Sequence, residues 1–309
     1  MERDYKIDGL KSLLIFLVVL GHIHGYNDYG LRVTQLIFSF HMPVFVFLSG
    51  LLTSINPNKE KRWKWLKQTF LLFVFAQAAH VLLGLAMGET ISWKVLICPE
   101  FAMWYLLCLM YWRISVWAIF KNTNEITLLC CSFVLAILSG IIPVDYEFSF
   151  QRAFAFYPFF VLGIVFKKRN LMTKIEKIPV GYAITVLIIG LIVAYLLPWG
   201  SYMPKFHYLS WTKPIIRIIQ TSLALCLCLS IIRLSRNRVV EKMTFLGQYS
   251  LWIYIGHTFV IRLYDKYFSL RMDLIGAIIM ALLICFGFGL MAYGYAQLKR
   301  NKKLKAPSK

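Results

Sequence analysis

Acidic residues are scarce in this chain: 14 Asp and Glu stand against 34 Lys and Arg in 309 residues. Charged residues of either sign make up only 16%, while 59% are hydrophobic. A chain so poor in charge cannot cover a water-facing surface, which excludes an ordinary soluble domain. Metal-ligand spacing is also missing. The seven cysteines (98, 108, 130, 131, 226, 228, 285) lie mostly within or beside apolar stretches and show no zinc-type spacing. Their odd number offers no complete disulfide framework, so they read as small packing residues, and no metal is expected. No loop between apolar runs is long enough to fold as a soluble domain, so any chemistry must occur among the apolar segments. There is no internal repeat either. An aromatic–Pro–aromatic–Gly pattern occurs around Pro43 and again around Pro158, but with different Pro-to-Gly spacings.

What is present is a succession of apolar runs near membrane-spanning length. Ten are expected, at approximately 10–25, 31–55, 66–87, 101–120, 126–142, 148–166, 180–197, 212–232, 245–263 and 274–296. The fold class is therefore an all-α polytopic membrane bundle of about ten transmembrane helices. Residues 1–298 form the membrane domain and 299–309 a basic tail. The formal charge of +20 does not indicate nucleic acid, because its cations sit between apolar runs and in the tail. The connections after even-numbered runs are the basic ones (59–67, 167–177, 233–242 and the tail), with Lys121 on the same side. Those after odd-numbered runs are sparser in cations, and one carries Asp145 and Glu147. The positive-inside rule then puts both termini in the cytoplasm. Trp93, Trp199 and Trp211 fall at the expected outer borders and Trp63 and Trp65 at an inner one, as an aromatic belt requires. Asp8 precedes the first run and no small-residue cleavage site follows it, so that run is expected to be a retained helix.

The first run carries ionisable groups where lipid would be expected: Asp8, Lys11, His22 and His24. Eleven residues are about three helical turns, so Lys11 and His22 share one side, roughly 16 Å apart along the axis. Asp8 lies three residues before Lys11 and joins that side, whereas His24 points nearly the opposite way. Polar groups at membrane depth are costly and their default reading is functional.

The second run holds Phe40, His41, Met42 and Pro43, then Ser49 and Gly50. Pro43 frees a backbone carbonyl and can bend the helix around a cavity. A short connection makes the first two helices neighbours, so His22 and His41 are able to approach in mid-membrane. The competing view of His41 is a buried imidazole bonded to a carbonyl. The segment Lys59–Lys67, with Arg62, Lys64 and Lys67, fits either the phosphates of a nucleotide-bearing reagent or lipid headgroups, and headgroups alone account for it well. Trp104 and Tyr105 open the fourth run with Arg113 near its middle, Arg152 begins the sixth, and Arg217 enters the eighth. Guanidinium groups cannot escape burial by losing a proton, so each needs an acid, a carbonyl or water. For Arg152 the acids Asp145, Glu147 and Glu100 are available. His257 follows Tyr249, Ser250, Trp252 and Tyr254 in the ninth run. His80 and His207 have no polar company in the sequence.

Together these segments resemble the acyltransferase-3 family of integral membrane acyltransferases, in the branch similar to fucose 4-O-acetylases. The resemblance covers nearly the whole chain. Its most specific elements are Asp8-Gly9-Leu10-Lys11 with His22, and Phe40-His41-Met42-Pro43 through Ser49-Gly50. Trp104-Tyr105-Leu106 with Arg113, Arg152 with Pro158-Phe159-Phe160 and Gly163, and Ser250 to Tyr254 with His257 continue it. Lys11 stands where arginine is more frequent in the family, keeping the charge without the bidentate fork.

The resemblance implies transfer of an acyl group, usually acetyl, from cytoplasmic acyl-CoA to a hydroxyl of a sugar or cell-surface glycan. A multi-pass protein of a bacterial inner membrane is the expected setting. His22 is then the expected general base, with His41 and Arg152 in the catalytic group and Arg113 beside them as a candidate for steadying the oxyanion. Lys11, Arg62, Lys64, Lys67 and Arg113 are expected on the acetyl-CoA side, and Asp8, Trp104, Tyr105 and His257 around the acceptor. Expected partners are acyl-CoA, the carbohydrate acceptor and membrane lipid, with no nucleic acid. The rival from another class is a secondary transporter or flippase for a glycan or lipid-linked sugar, for which buried charges are equally natural. Inverted repeats and paired broken helices, frequent in that class, are not found. A non-catalytic scaffold gives no reason for Lys11 and His22 to share a stripe.

Overall fold

The computed structural model describes residues 4–23, 28–120, 123–141, 146–197, 213–268 and 272–305, without the side chains of 28, 29 and 302–305. Among the described residues all regular structure is helical. The α-helices are α1 (Tyr5–Ile23), α2 (Asp28–Leu51), α3 (Lys59–Ala86), α4 (Trp104–Ile119), α5 (Glu125–Leu138), α6 (Phe150–Lys168) and α7 (Leu171–Ile175). They continue with α8 (Val180–Leu196), α9 (Lys213–Leu234), α10 (Arg238–Lys242), α11 (Phe245–Gln248), α12 (Ser250–Tyr267) and α13 (Leu274–Lys305). A helix corresponds to each of the ten expected spans. Six stretches, within or around α2, α3, α4, α6, α9 and α13, are long and apolar enough to cross a membrane, and α5 and α8 are shorter apolar helices. α1 and α12 each carry three charged residues: Lys6, Asp8 and Lys11 in one, Arg262, Asp265 and Lys266 in the other. Large apolar side chains such as Phe75, Ile188 and Leu283 are exposed, which suits a lipid-facing surface and not an aqueous one.

Caps place several helix starts earlier than hydropathy does. Asp4 Oδ1 accepts the N–H groups of Lys6 and Ile7 at 3.0 and 3.3 Å, so α1 begins five residues before the apolar run. Asn58 Oδ1 accepts the Lys61 N–H at 3.0 Å and starts α3 within the basic segment. Such side-chain oxygens satisfy donors that the first turn leaves without partners. At the other end, α13 runs unbroken past residue 298 into the basic segment.

The chain divides into two compact units, Met1–Thr34 with Ser235–Lys309, and Gln35–Leu234. In the first, α1 packs against α10, α11, α12 and α13. Glycines let backbones touch there. A Cβ on Gly9 would lie 1.8 Å from the Val240 carbonyl oxygen, and one on Gly247 would lie 1.8 Å from that of Asp8. Asp4 Oδ2 also accepts from Arg236 Nη1 at 2.9 Å, tying the start of α1 to the segment before α10.

In the second unit, α2 and α6 cross with the same device. A Cβ on Gly50 would meet the Phe160 carbonyl oxygen at 1.9 Å, and one on Gly163 would meet that of Phe47 at 2.1 Å. Small residues permit this approach where apolar burial between helices gains little. The shared aromatic–Pro–aromatic–Gly pattern is thus a packing seam between the two helices that carry it. α5 and α6 are joined at one end by Glu125, whose Oε2 and Oε1 accept from Lys168 Nζ at 2.7 Å and Arg169 Nε at 3.0 Å. These bonds, the Lys168 one foremost, hold the Glu125 carboxyl well below its ordinary range, at about 2. All seven cysteines are free thiols.

Candidate functional site

In the first unit the Asp8–Ser12 segment is a docking face. Gly9 and Gly247 provide the close approaches, and Ser12 completes them. Its hydroxyl donates to the Asp8 carbonyl at 3.2 Å and accepts the Gly247 N–H at 2.7 Å. That N–H belongs to the first turn of α11 and has no partner within its own helix. Asp8 is buried and accepts from Lys11 Nζ at 3.4 Å, leaving Lys11 part-exposed. α1 then runs without a break to His22. Between the two, on the same stripe, Ile15 and Val18 are buried, while His22 is exposed. The stripe is therefore closed in its middle and accessible at its ends, with a cation at one and an imidazole at the other.

His257 of α12 faces His22, ring centroids 5.4 Å apart and planes at 42°. It is fully buried, and its Nδ1 lies 3.0 Å from the Ile253 carbonyl oxygen. A carbonyl only accepts, so Nδ1 carries the hydrogen and, in the neutral ring, the lone pair is on Nε2. His24 lies outside the described residues, as do Asp145, His207, Trp199 and Trp211.

The second unit holds the other candidates in two groups. His41 is buried in α2 and its Nδ1 meets the Ile37 carbonyl at 2.8 Å, the same tautomer-setting bond to the preceding turn as in His257. One group surrounds Arg113. Its guanidinium carbon stands 4.0 Å from the centre of the Trp65 ring, and its Nε is buried without a hydrogen-bond partner. Trp65 meets Trp117 edge-on at 5.9 Å, and Arg62 lies 6.0 Å from the Trp117 ring. Tyr105 belongs to this group, its hydroxyl bonded to Ser49, with Thr53 Oγ1 donating to the Ser49 carbonyl at 2.6 Å. Lys167 Nζ donates to the Thr53 carbonyl at 2.8 Å and is close enough to Arg113 for the two cations to interact.

Lys167 is absent from the sequence-derived candidates. The available signal was a lysine following directly on the apolar stretch Pro158–Phe166. Lys64 and Lys67, by contrast, are exposed. Arg62 and Trp65 are three apart and share a face of α3, whereas Lys64 is two from Arg62 and turns away. That position suits lipid headgroups.

The other group gathers at the start of α6. Arg152 stands 5.1 Å from the centre of Trp104 and 5.9 Å from that of Tyr146, and Trp104 stacks on Phe156 at 5.6 Å. Arg217 is buried and donates through Nη1 to Ser139 Oγ at 3.0 Å. His80, buried in α3, stacks on Phe101. Among the described residues, no group of three or more His, Cys, Asp or Glu is placed to hold a metal.

A family model described as an acyltransferase domain, of the acyltransferase-3 type, matches residues 4–293. No curated protein and no solved structure matches the chain. The match spans every span-forming helix, α13 being covered through most of its length, and includes both halves of the Lys11–His22 stripe and all the groups above. The chain belongs to the acyltransferase-3 family and is a multi-pass integral membrane acyltransferase.

Proposed function

We propose that the protein transfers an acetyl group from acetyl-CoA, presented at the cytoplasmic face of a bacterial inner membrane, to a hydroxyl of a sugar or cell-surface glycan. The observation that carries this reading is the His22–His257 pair at the far end of the helix whose near end holds Lys11. His257 is fixed with Nδ1–H on Ile253, so its Nε2 lone pair is suited to accept the N–H of His22. The other nitrogen of His22 is then turned to the acceptor as a base. It takes the proton of the acceptor hydroxyl while that oxygen bonds to the acetyl carbonyl carbon. The carbon–sulfur bond breaks, and the imidazolium returns the proton to the departing thiolate. Neither metal nor redox partner enters this balance. A neutral imidazole titrates in the right range for the task.

The donor's phosphates fit the Arg113 group. Arg113 has a buried, unpartnered Nε, and Lys167 and Arg62 add charge nearby.

The test is transfer of radiolabelled acetyl from acetyl-CoA to a panel of glycans by the purified protein in nanodiscs. Wild type is expected to bind and consume acetyl-CoA, and folded His22→Ala to bind it without transfer. Failure of the wild type to bind or consume acetyl-CoA would overturn the donor assignment. Near-normal turnover in His22→Ala would overturn the base.

A further inference from the structure

The two ends of α1 are seated differently. At its start, backbone meets backbone through Gly9 and Gly247, which leaves little freedom to shift. At its end stands His22, whose neighbour His257 is carried by α12, and α12 packs against both α1 and α13. The place of the second imidazole therefore depends on how α12 is set between those two helices. One of its contacts with α13 falls at Gly256, the residue before His257. A Cβ there would stand 2.3 Å from Cε1 of Phe288 and 2.5 Å from its Cδ1 and Cζ, well inside ordinary carbon–carbon contact at about 3.5–4.0 Å. The Phe288 ring thus fills the space that any other residue at position 256 would need.

This contact stands out from the packing around it. The inward stripe of α13 is small and buried at Ala277, Ala281, Cys285 and Ala292, and Phe288 is its largest member. Residues 256 and 257 point about 100° apart around the axis of α12. The helix therefore meets the Phe288 ring on one side and His22 on the next, and it cannot turn toward one without turning from the other. The turn has leverage. A side chain at the rim of a helix lies roughly 5–6 Å from the axis, so a rotation of about 10° moves it by about 1 Å. A displacement of about 1 Å at reacting groups can cost on the order of a hundredfold in rate.

We propose that Phe288 is the positioning residue of the histidine pair: its ring, seated on Gly256, fixes the rotation of α12 and so aims the His257 imidazole at His22; this rests on the acetyl-transfer reading. The Ile253 carbonyl sets which nitrogen of His257 carries the hydrogen, but that carbonyl and the imidazole belong to one helix and turn together. The bond gives the tautomer and not the aim. Phe288 supplies the aim from a different helix. In this role it acts through His257 and needs no contact with either substrate, so its loss lowers turnover and leaves acetyl-CoA affinity alone.

The experiment compares wild type, Gly256→Ala, Phe288→Ala, Phe288→Leu and the double variant Gly256→Ala/Phe288→Ala as purified full-length proteins in nanodiscs. It reads kcat, KM for acetyl-CoA, and the ring-nitrogen NMR signals of His22 and His257 in isotope-labelled protein, assigned by their loss in His22→Asn and His257→Asn. Gly190→Ala is the control: its methyl would stand 2.7 Å from Leu227 Cδ2, so it overpacks a different helix pair, α8 with α9. Gly256→Ala and Phe288→Ala are each expected to lower kcat on the order of tenfold to a hundredfold, with KM within about twofold of wild type. Both histidine signals should shift in these two. Phe288→Leu keeps a bulky end at Gly256 and should lose less than Phe288→Ala. The double variant removes the clash and should turn over faster than Gly256→Ala. Gly190→Ala should melt lower, yet keep kcat and both signals while it is folded. Should Gly256→Ala fail to fold, the two Phe288 variants carry the same comparison. Wild-type kcat and unshifted signals in the Phe288 variants overturn the proposal, as does an equal loss in Gly190→Ala or a rise in KM alone. A wild type that moves no acetyl removes the transfer reading, whereas signals shifted by Phe288→Ala and not by Gly190→Ala still identify the ring that sets the pair.

Discussion

The imidazoles of His22 and His257 lie 5.4 Å apart, and the two rings have opposite surroundings: His22 is exposed and His257 is fully buried. The buried ring is anchored by its own helix through Ile253, and the other lies at an accessible position. On the proposed reading His22 is the base and His257, its own tautomer fixed by the Ile253 carbonyl, is the residue that positions it.

That arrangement predicts coupled effects. His22→Ala should lower turnover by roughly a hundred- to ten-thousand-fold, the usual contribution of base catalysis. His257→Ala alone should cost less, because it leaves the base present but poorly oriented. In the His22→Ala background it should cost almost nothing more, since residues acting as one unit are not additive. The measurement is kcat for acetyl transfer in the four proteins. Additive losses would separate the two histidines and return His257 to a packing role.

A second prediction concerns the docking face of α1. Alanine at Gly9 or Gly247 drives a methyl to within 1.8 Å of a backbone carbonyl, and a carbonyl held in a helix cannot rotate away. Either substitution should destabilise by about 1–3 kcal/mol or more, the usual cost of overpacking. Gly287→Ala is the control: its Cβ would meet nothing within 4 Å. Thermal unfolding in nanodiscs should show large drops for the first two and none for the third. Equal behaviour of all three would remove the close approaches as an explanation of these glycines.

The all-helical class and the apolar runs were legible in composition, because lipid imposes one hydropathy rule on every span. The Lys11–His22 stripe was legible too, since a helix without breaks fixes the angle between residues eleven apart. Contacts between helices were not. Nothing in the spacing says that His257 stands against His22. Gly9, Ser12 and Gly247 look incidental until the Val240 and Asp8 backbones are seen against them. The basic lead-in of α3 shows the limit most clearly. Its cations read as one cluster along the chain, but the helix starts at Lys59 and divides them, Arg62 turning toward Trp117 while Lys64 and Lys67 turn outward. Lys167 joins the Arg113 group from more than fifty residues away, at a distance no local pattern reports.

That division predicts which cations hold the donor. Arg113→Gln should weaken acetyl-CoA binding on the order of tenfold or more, as loss of a charge-assisted hydrogen bond to phosphate does. Arg113→Lys should recover part of it, keeping the charge but not the stacking on Trp65. Lys64→Ala and Lys67→Ala should leave donor affinity near wild type. Equilibrium binding at two salt concentrations is the check. A larger loss for the two lysines than for Arg113 would move the donor site out to the exposed surface of α3.

The last prediction follows from Glu125, which ends the α5–α6 pairing with bonds to Lys168 at 2.7 Å and Arg169 at 3.0 Å. The Lys168 hydrogen bond is the largest cause that lowers its carboxyl to about 2, from an ordinary value of 4.5. A depressed carboxyl stabilises the folded state fully above its unfolded value, and that contribution disappears as pH falls toward the folded one. The window is therefore about 4.5 down to about 2. Both cations are nearly half exposed, so salt should screen the interaction and its size at neutral pH should be modest. Glu125→Gln should melt below wild type at neutral pH and low salt, and added salt should narrow the gap. On acidification the wild-type midpoint should fall faster than the variant's through this window, until the two meet near its lower end. Thermal unfolding of both proteins across that range, in low and high salt, measures it. Parallel curves at every pH would show that Glu125 shapes the helix junction without its charge contributing.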